Sequence, residues 1–286
     1  MYVILGATGQ VGGHAVQKLQ QLHPEAPLRI VARRAPKAMP ANAEWREVDA
    51  ASDVDGLASA MQGADAVFVM NPVPPDATDV YRDAGSISQT IAAAIKRAGR
   101  PRTVALSSQG AHLATGTGII TALHDFESAL RNTGAPLTCV RSTFFMESWL
   151  PFAATALASG QWRAMRDPPD AQDSAVSARD VGAVIAECLW DGASPAIVNV
   201  TGARTYSDVE AAAVLAAMSG RPIEVVPVPA AERGNVLEGA GLGPSYAAAL
   251  ADMYAALDAG AVPFEPVPDI RHGTTSLEEV LRGVPG

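Results

Sequence analysis

Tyr2-Val3-Ile4-Leu5-Gly6-Ala7-Thr8-Gly9-Gln10-Val11-Gly12-Gly13 decides the fold: an apolar run breaks into glycines three residues apart and passes into a helical pattern. Gly6 allows a sharp turn out of the strand, Gly9 lets backbone amides approach a pyrophosphate, and Gly12 lets the helix sit close to the sheet. A helix opening there offers free N–H groups and the positive end of its dipole to an anion. The strand before and helix after are the context that turns a glycine trio into a dinucleotide site. Thr8, Gln10 and Val11, between and beside the glycines, join the expected cofactor contacts.

The second strand, Leu28-Arg29-Ile30-Val31-Ala32, ends in Arg33-Arg34, where an NAD site would place a carboxylate against the ribose 2′-hydroxyl. Two guanidiniums suit a 2′-phosphate instead, because their forked donors pair with phosphate oxygens. The expected cofactor is therefore NADP(H), with Arg33 the stronger candidate and Arg34 the one more easily read as a solvated charge.

Around this start, segments of strand and helix pattern alternate, which describes a doubly wound parallel sheet of Rossmann type over residues 1–150. Trp45–Asp49, a helix from about Ser52 to Gln62 and the strand Ala64–Met70 come next. Asn71-Pro72-Val73-Pro74-Pro75 then forces a loop at a strand's carboxyl end, the edge where such sheets bind ligands, so Asn71 and Pro72 are expected at the cofactor. A helix over Thr78–Ala98, the strand Arg102–Ser108, a helix over Thr121–Thr133 and the strand Leu137–Arg141 complete the series. Ser107 and Ser108 are expected at the cofactor and Gln109 at the substrate.

Beyond residue 150 the alternation loosens into a smaller α+β lobe, expected to interleave with the first. Helical stretches fall near 149–159, 179–190, 207–219 and 244–258, and Ala196–Val200 is strand-like. Ser207-Asp208-Val209-Glu210 has capping-box spacing and Gly220 fits a helix stop. Pro227–Gly243 has no clear period and is expected to be a mobile or loop-rich segment.

The chain has 286 residues, 48% of them hydrophobic, and no apolar run approaches the roughly 20 residues of a bilayer span. Met1 leads straight into the first strand, so a cytoplasmic location is expected. A net charge of −9 without a basic cluster argues against nucleic acid. Cys139 and Cys188 are distant and outside any Cys/His grouping, which predicts no metal and no disulfide framework. The expected partner is a small-molecule acceptor, with a homodimer left open.

Several of these segments together carry a resemblance: Gly6–Gly12, Val31-Ala32-Arg33, the Ser107-Ser108 strand end, His124-Asp125-Phe126-Glu127, and Gly134 through Arg141 to Ser142-Thr143-Phe144-Phe145-Met146-Glu147. The chain resembles the atypical short-chain dehydrogenase/reductase group that includes NmrA-like regulators, NADPH:quinone reductase-like proteins and triphenylmethane reductases. That resemblance implies a Rossmann domain with a small C-terminal lobe, the substrate between them over the nicotinamide, and NADP(H) held by the glycine loop and Arg33.

The departures narrow the chemistry. Short-chain dehydrogenases of the usual kind pair a Tyr with a Lys four residues later, the ammonium lowering the phenol pKa. No Tyr-x-x-x-Lys occurs here, and the only lysines are Lys18, Lys37 and Lys96, all on expected helices or loops. An isoflavone-reductase-like lysine before Glu127 is also missing, since Ile119 and Ile120 hold that stretch. What remains is hydride transfer to an acceptor needing little proton assistance, such as a quinone, an azo compound or a cationic dye, with rate supplied by positioning and the proton by water. His124 is the candidate to assist, with Glu127 on the same helix face to orient its ring or, equally, to anchor the strand at Arg141. Phe144, Phe145 and Met146 are expected to line an apolar acceptor pocket. Ranked behind the reductase are a non-catalytic NADP(H)-binding regulator and, last, a nucleotide-sugar epimerase-like enzyme, which needs the absent acid/base pair.

Overall fold

The first strand, β1 (Tyr2–Leu5), is buried on both faces because its neighbours hold layers of helix above and below it. The computed structural model describes residues 1–36, 38–192 and 194–284, so the expected loop lysine Lys37 lies outside the described residues. In chain order β1 is followed by α1 (Gln10–Leu22), β2 (Leu28–Ala32), β3 (Ala43–Glu47), α2 (Val54–Met61), β4 (Ala66–Val69) and α3 (Val80–Arg97). Then come β5 (Arg102–Ser108), α4 (Ile120–Arg131), β6 (Leu137–Ser142) and β7 (Phe144–Phe145). The remainder runs α5 (Leu150–Ser159), β8 (Gln161–Ala164), β9 (Asp173–Val176), α6 (Ala178–Trp190), β10 (Ile197–Thr201), β11 (Thr205–Tyr206), α7 (Asp208–Ser219) and β12 (Glu224–Pro227). It closes with α8 (Arg233–Gly239), α9 (Pro244–Asp258), β13 (Ile270–His272) and α10 (Leu277–Leu281).

Eight of these strands form one sheet in the order β13-β10-β6-β5-β4-β1-β2-β3, with every pairing parallel. Alternation along the strands assigns the faces. Val3, Leu5, Val67, Val69 and Ala105 pack against α2, α3 and α4, whereas Ile4, Phe68, Val104 and Val140 pack against α1 and α6. Two-sided burial is why these strands read as continuous apolar runs. Strand order reverses on either side of β1, with β2 to one side and β4 to the other, and the crevice outside the carboxyl ends there is where an open α/β sheet takes its ligand.

The main sheet does not stop at residue 150. β10 pairs with β6 and β13 with β10, so strands from the second half extend the first sheet, and α6 lies beside α1 beneath it. A separate core of Met146, Trp149, Trp162, Tyr206 and Leu215 holds the remaining elements. At its centre Asp208 accepts from Trp149 Nε1 at 3.0 Å, Trp162 Nε1 at 3.2 Å and the Met165 N–H at 2.9 Å. The capping box read at Ser207 and Glu210 forms, and Gly220 ends α7 at φ 65°. The segment 227–243, expected as a loop, instead carries α8, whose Leu237 packs with Met165, Val228 and Tyr254. Burial of one side of this short helix overrides a sequence without visible period. Cys139 and Cys188 are buried free thiols, and burial pushes the Cys139 thiol up to about 12, which leaves it unreactive.

No helix among the described residues is long and apolar enough to cross a membrane, and none of their His, Cys, Asp and Glu side chains form a group of three or more that could hold a metal ion.

Candidate active site

Gly6 leaves β1 at φ 67°, a conformation that L side chains rarely adopt, and Gly12 brings α1 against that turn. A Cβ on Gly12 would lie 2.4 Å from the Gly6 carbonyl oxygen and 2.7 Å from its carbon, both backbone atoms that no rotamer change can move. Gly12→Ala is therefore expected to cost about 1–3 kcal/mol through overpacking and to prise the turn from the helix. Paired denaturation and nucleotide titrations of the variant check this, with nucleotide affinity expected to fall at least as steeply as stability.

Helix α1 opens at Gly9 with no side-chain cap and no acidic residue in its first turn, so its leading N–H groups remain available to an anion. They face a cleft of about 310 Å³ lined by Gly6, Gly9, Gln10, Val11, Gly12, Met70, Leu106, Phe145, Glu147, Ser148 and Ala178. Thr8 is exposed on the rim of the turn. Arg33 and Arg34 follow β2 as exposed side chains, one strand over from the loop, where Gly6 N–H donates to the Val31 carbonyl at 3.3 Å. A glycine cradle that a Cβ would fill and an uncapped helix start fit a phosphorylated dinucleotide, with Arg33 and Arg34 following the neighbouring strand.

The other expected residues divide. Asn71 follows β4 at the carboxyl edge, and its amide turns back to donate to the Ala84 carbonyl and Ser88 Oγ, both at 2.9 Å; Pro72 beside it is exposed. Ser108 and Gln109 are half-buried at the end of β5. Ser107 is a correction. Its hydroxyl is buried and donates to Glu127 Oε1 at 2.6 Å, because residue parity puts it on the α4 face while Leu106 and Ser108 share the face toward the cleft.

Of the two roles expected for Glu127, the geometry sets aside the ring-orienting one. Its carboxylate is 0% exposed and takes a bidentate pair from Arg141, Nε to Oε1 at 2.8 Å and Nη2 to Oε2 at 2.7 Å, with Arg131 beside it. Burial by itself would push this carboxyl up, but Arg141, Ser107 and Arg131 together hold it below the usual carboxylate range. It ties α4 to β5 and β6 and does not reach the His124 ring. His124 Nδ1 lies 2.9 Å from the Ala111 carbonyl oxygen, which can only accept, so the proton sits on Nδ1 and Nε2 is left free. Nearby, His112 buries its Nδ1 without a partner among the described residues, a feature no motif announced.

Of the aromatic run, Phe145 lines the cleft and Phe144 packs against Trp149, ring centroids 5.3 Å apart. Met146 is fully buried in the second core, so it lines no pocket. The next residue, Glu147, enters the cleft instead, a site residue that the sequence reading did not single out. Over the carboxyl edge lies α9: Ile119 N–H donates to the Ala249 carbonyl at 3.0 Å, Val80 N–H to Ser245 Oγ at 3.0 Å, and Gly243 N–H to the Pro75 carbonyl at 2.8 Å. The loops after β4 and β5 are thus roofed by a helix from the far end of the chain.

Residues 6–191 match the model of a family described as NAD(P)H-binding. The chain belongs to the NAD(P)H-binding family. Within the NAD(P)H-binding family, it is 30% identical over 259 residues to the NAD(P)H azoreductase of Xenophilus azovorans, covering 89% of this chain and 86% of the relative. A crystal structure of an NADPH-dependent quinone oxidoreductase from Escherichia coli complexed with NADPH superposes with a TM-score of 0.79 at 22% identity, over 99% of each chain. Triphenylmethane reductase of Citrobacter sp., complexed with NADP(H), gives a TM-score of 0.83 at 20% identity, over 99% of this chain and 100% of that one. These two structures share the fold of this family member.

Proposed function

We propose that the protein is an NADPH-dependent reductase that delivers hydride to a conjugated small-molecule acceptor of the quinone, azo or cationic dye type. The observation that carries this is one cleft joining the uncapped start of α1 and its glycine cradle to an apolar end formed by Met70, Leu106 and Phe145. When bound there, NADPH supplies the hydride. The protein's own contribution is to fix the phosphates at the first turn of α1 and to give the ring an apolar seat. Arg33, with Arg34 behind it, supports NADP(H) over NAD(H). Ser108 and Gln109, half-buried at the end of β5, are the candidates for hydrogen bonds to the ribose or the acceptor.

Proton assistance is minimal in this scheme. Among the described residues no lysine lines the cleft, Glu127 is committed to Arg141, and His124 spends its Nδ1–H on the Ala111 carbonyl. Water supplies the proton that accompanies the hydride, which suits acceptors whose reduced form is a stabilised anion or a neutral leuco compound. The same shortage of acid/base groups favours a second reading, a non-catalytic NADP(H)-binding regulator.

Stopped-flow absorbance of NADPH with a panel of quinones, azo dyes and triphenylmethane dyes separates the two. Turnover with NADPH well above that with NADH is expected. Tight NADPH binding with no turnover on any acceptor would shift the assignment to the regulator. Size-exclusion chromatography alongside would decide between a monomer and the homodimer.

A further inference from the structure

We propose that Glu147 holds the carboxamide of the nicotinamide ring and so fixes which way the ring lies in the cleft. The inference rests on the cleft's taking NADP(H). Glu147 Oε1 is already committed, accepting from Ser177 Oγ at 2.7 Å and from the Ala178 N–H at 2.9 Å, which seats the carboxylate on the first turn of α6. Oε2 is buried and has no hydrogen-bond partner among the described residues, although the side chain lines the cofactor cleft. A buried carboxylate oxygen without a donor is costly, so the native protein needs a donor delivered from outside the chain.

The donor inventory of the dinucleotide narrows what that is. Phosphate oxygens accept only and would be repelled by a carboxylate, so Glu147 cannot serve the pyrophosphate end at Gly9 and Gln10. The adenine amine belongs to the other half of the nucleotide, toward β2 and Arg33, on the far side of β1 from β4. Glu147 instead follows β7 and shares its part of the cleft with Met70, Leu106 and Phe145, the apolar residues that would flank the ring. Of the donors on that half, the carboxamide N–H₂ is the one that moves with the ring. A bond from it to an oxygen clamped on α6 selects one ring face for the acceptor. The α6 dipole meanwhile offsets part of the cost of keeping that negative charge buried.

Three nucleotides test the assignment by calorimetric titration: NADP⁺, its nicotinic acid analogue with carboxylate in place of carboxamide, and 2′-phospho-ADP-ribose, which has no ring. The wild type is expected to prefer NADP⁺ over the acid analogue by roughly a hundredfold, since two carboxylates would meet. Glu147→Gln should weaken NADP⁺ by about tenfold, shrink that preference by about tenfold or more, and leave 2′-phospho-ADP-ribose within about twofold. Equal losses for all three ligands would mean that Glu147 acts only through Ser177 and α6, and would overturn the proposal. An unchanged preference in a folded variant would do the same and move the contact to a ribose hydroxyl. If the variant does not fold, the wild-type comparison decides: equal affinity for NADP⁺ and the acid analogue defeats the assignment. No binding of any of the three would defeat the nucleotide reading itself, and this with it.

Discussion

Glu127→Gln is expected to remove about 3–5 kcal/mol of folding stability at neutral pH, because a buried guanidinium loses the carboxylate that neutralises it. Arg141 is 1% exposed and spends two nitrogens on Glu127. Its remaining Nη1 reaches Glu265, which is 38% exposed, and that surviving partner holds the loss toward the lower end of the range. For a chain of this size the melting temperature should drop by on the order of 10 °C. The pH dependence gives the sign. Glu127 has its pKa lowered in the folded state, so its contribution is present above the unfolded value of roughly 4.3 and fades as pH falls through the folded one. Denaturant titrations of wild type and variant should therefore differ fully at pH 7 and converge as pH is lowered below about 4. A constant gap across that range would show that the variant loses packing rather than a charge pair.

Arg33→Ala should weaken NADPH binding by about 1.5–3 kcal/mol, roughly 10- to 150-fold, while leaving NADH nearly untouched. The physical basis is charge-assisted pairing with the 2′-phosphate, a group NADH lacks. The exposed setting of Arg33 after β2 makes the guanidinium free to reach that phosphate and also screened by solvent, which places the effect in this moderate range. Arg34→Ala is expected to do less. Fluorescence titrations with both nucleotides check it, and equal losses for NADH and NADPH would remove Arg33 from the phosphate.

The glycine loop, the order of strands and helices through residue 142, and the caps of α7 were legible because each depends on residues close in sequence. Gly6 and Gly12 are six apart, and Ser207 with Glu210 three apart. Even the wrong reading of Ser107 had a usable local signal. Thr103, Ala105 and Ser107 alternate onto the α4 face, whereas Val104, Leu106 and Ser108 alternate onto the other. Pro227–Gly243 offered no such signal, since α8 is held by contacts to Met165 and Tyr254 from distant segments.

The sequence alone thus determined the Rossmann sheet, the glycine turn at the start of α1 and the absence of a Tyr-Lys pair, because local periodicity, glycine spacing and residue inventory need no long-range partner to be read. Tertiary structure decided the rest: that Glu127 pairs with Arg141 rather than His124, that β10 and β13 extend the first sheet, that α9 covers the loops after β4 and β5, and that Glu147 enters the cleft where Met146 does not. Each depends on which side chains distant segments bring within bonding distance, and a buried charge or donor takes whatever partner packing delivers.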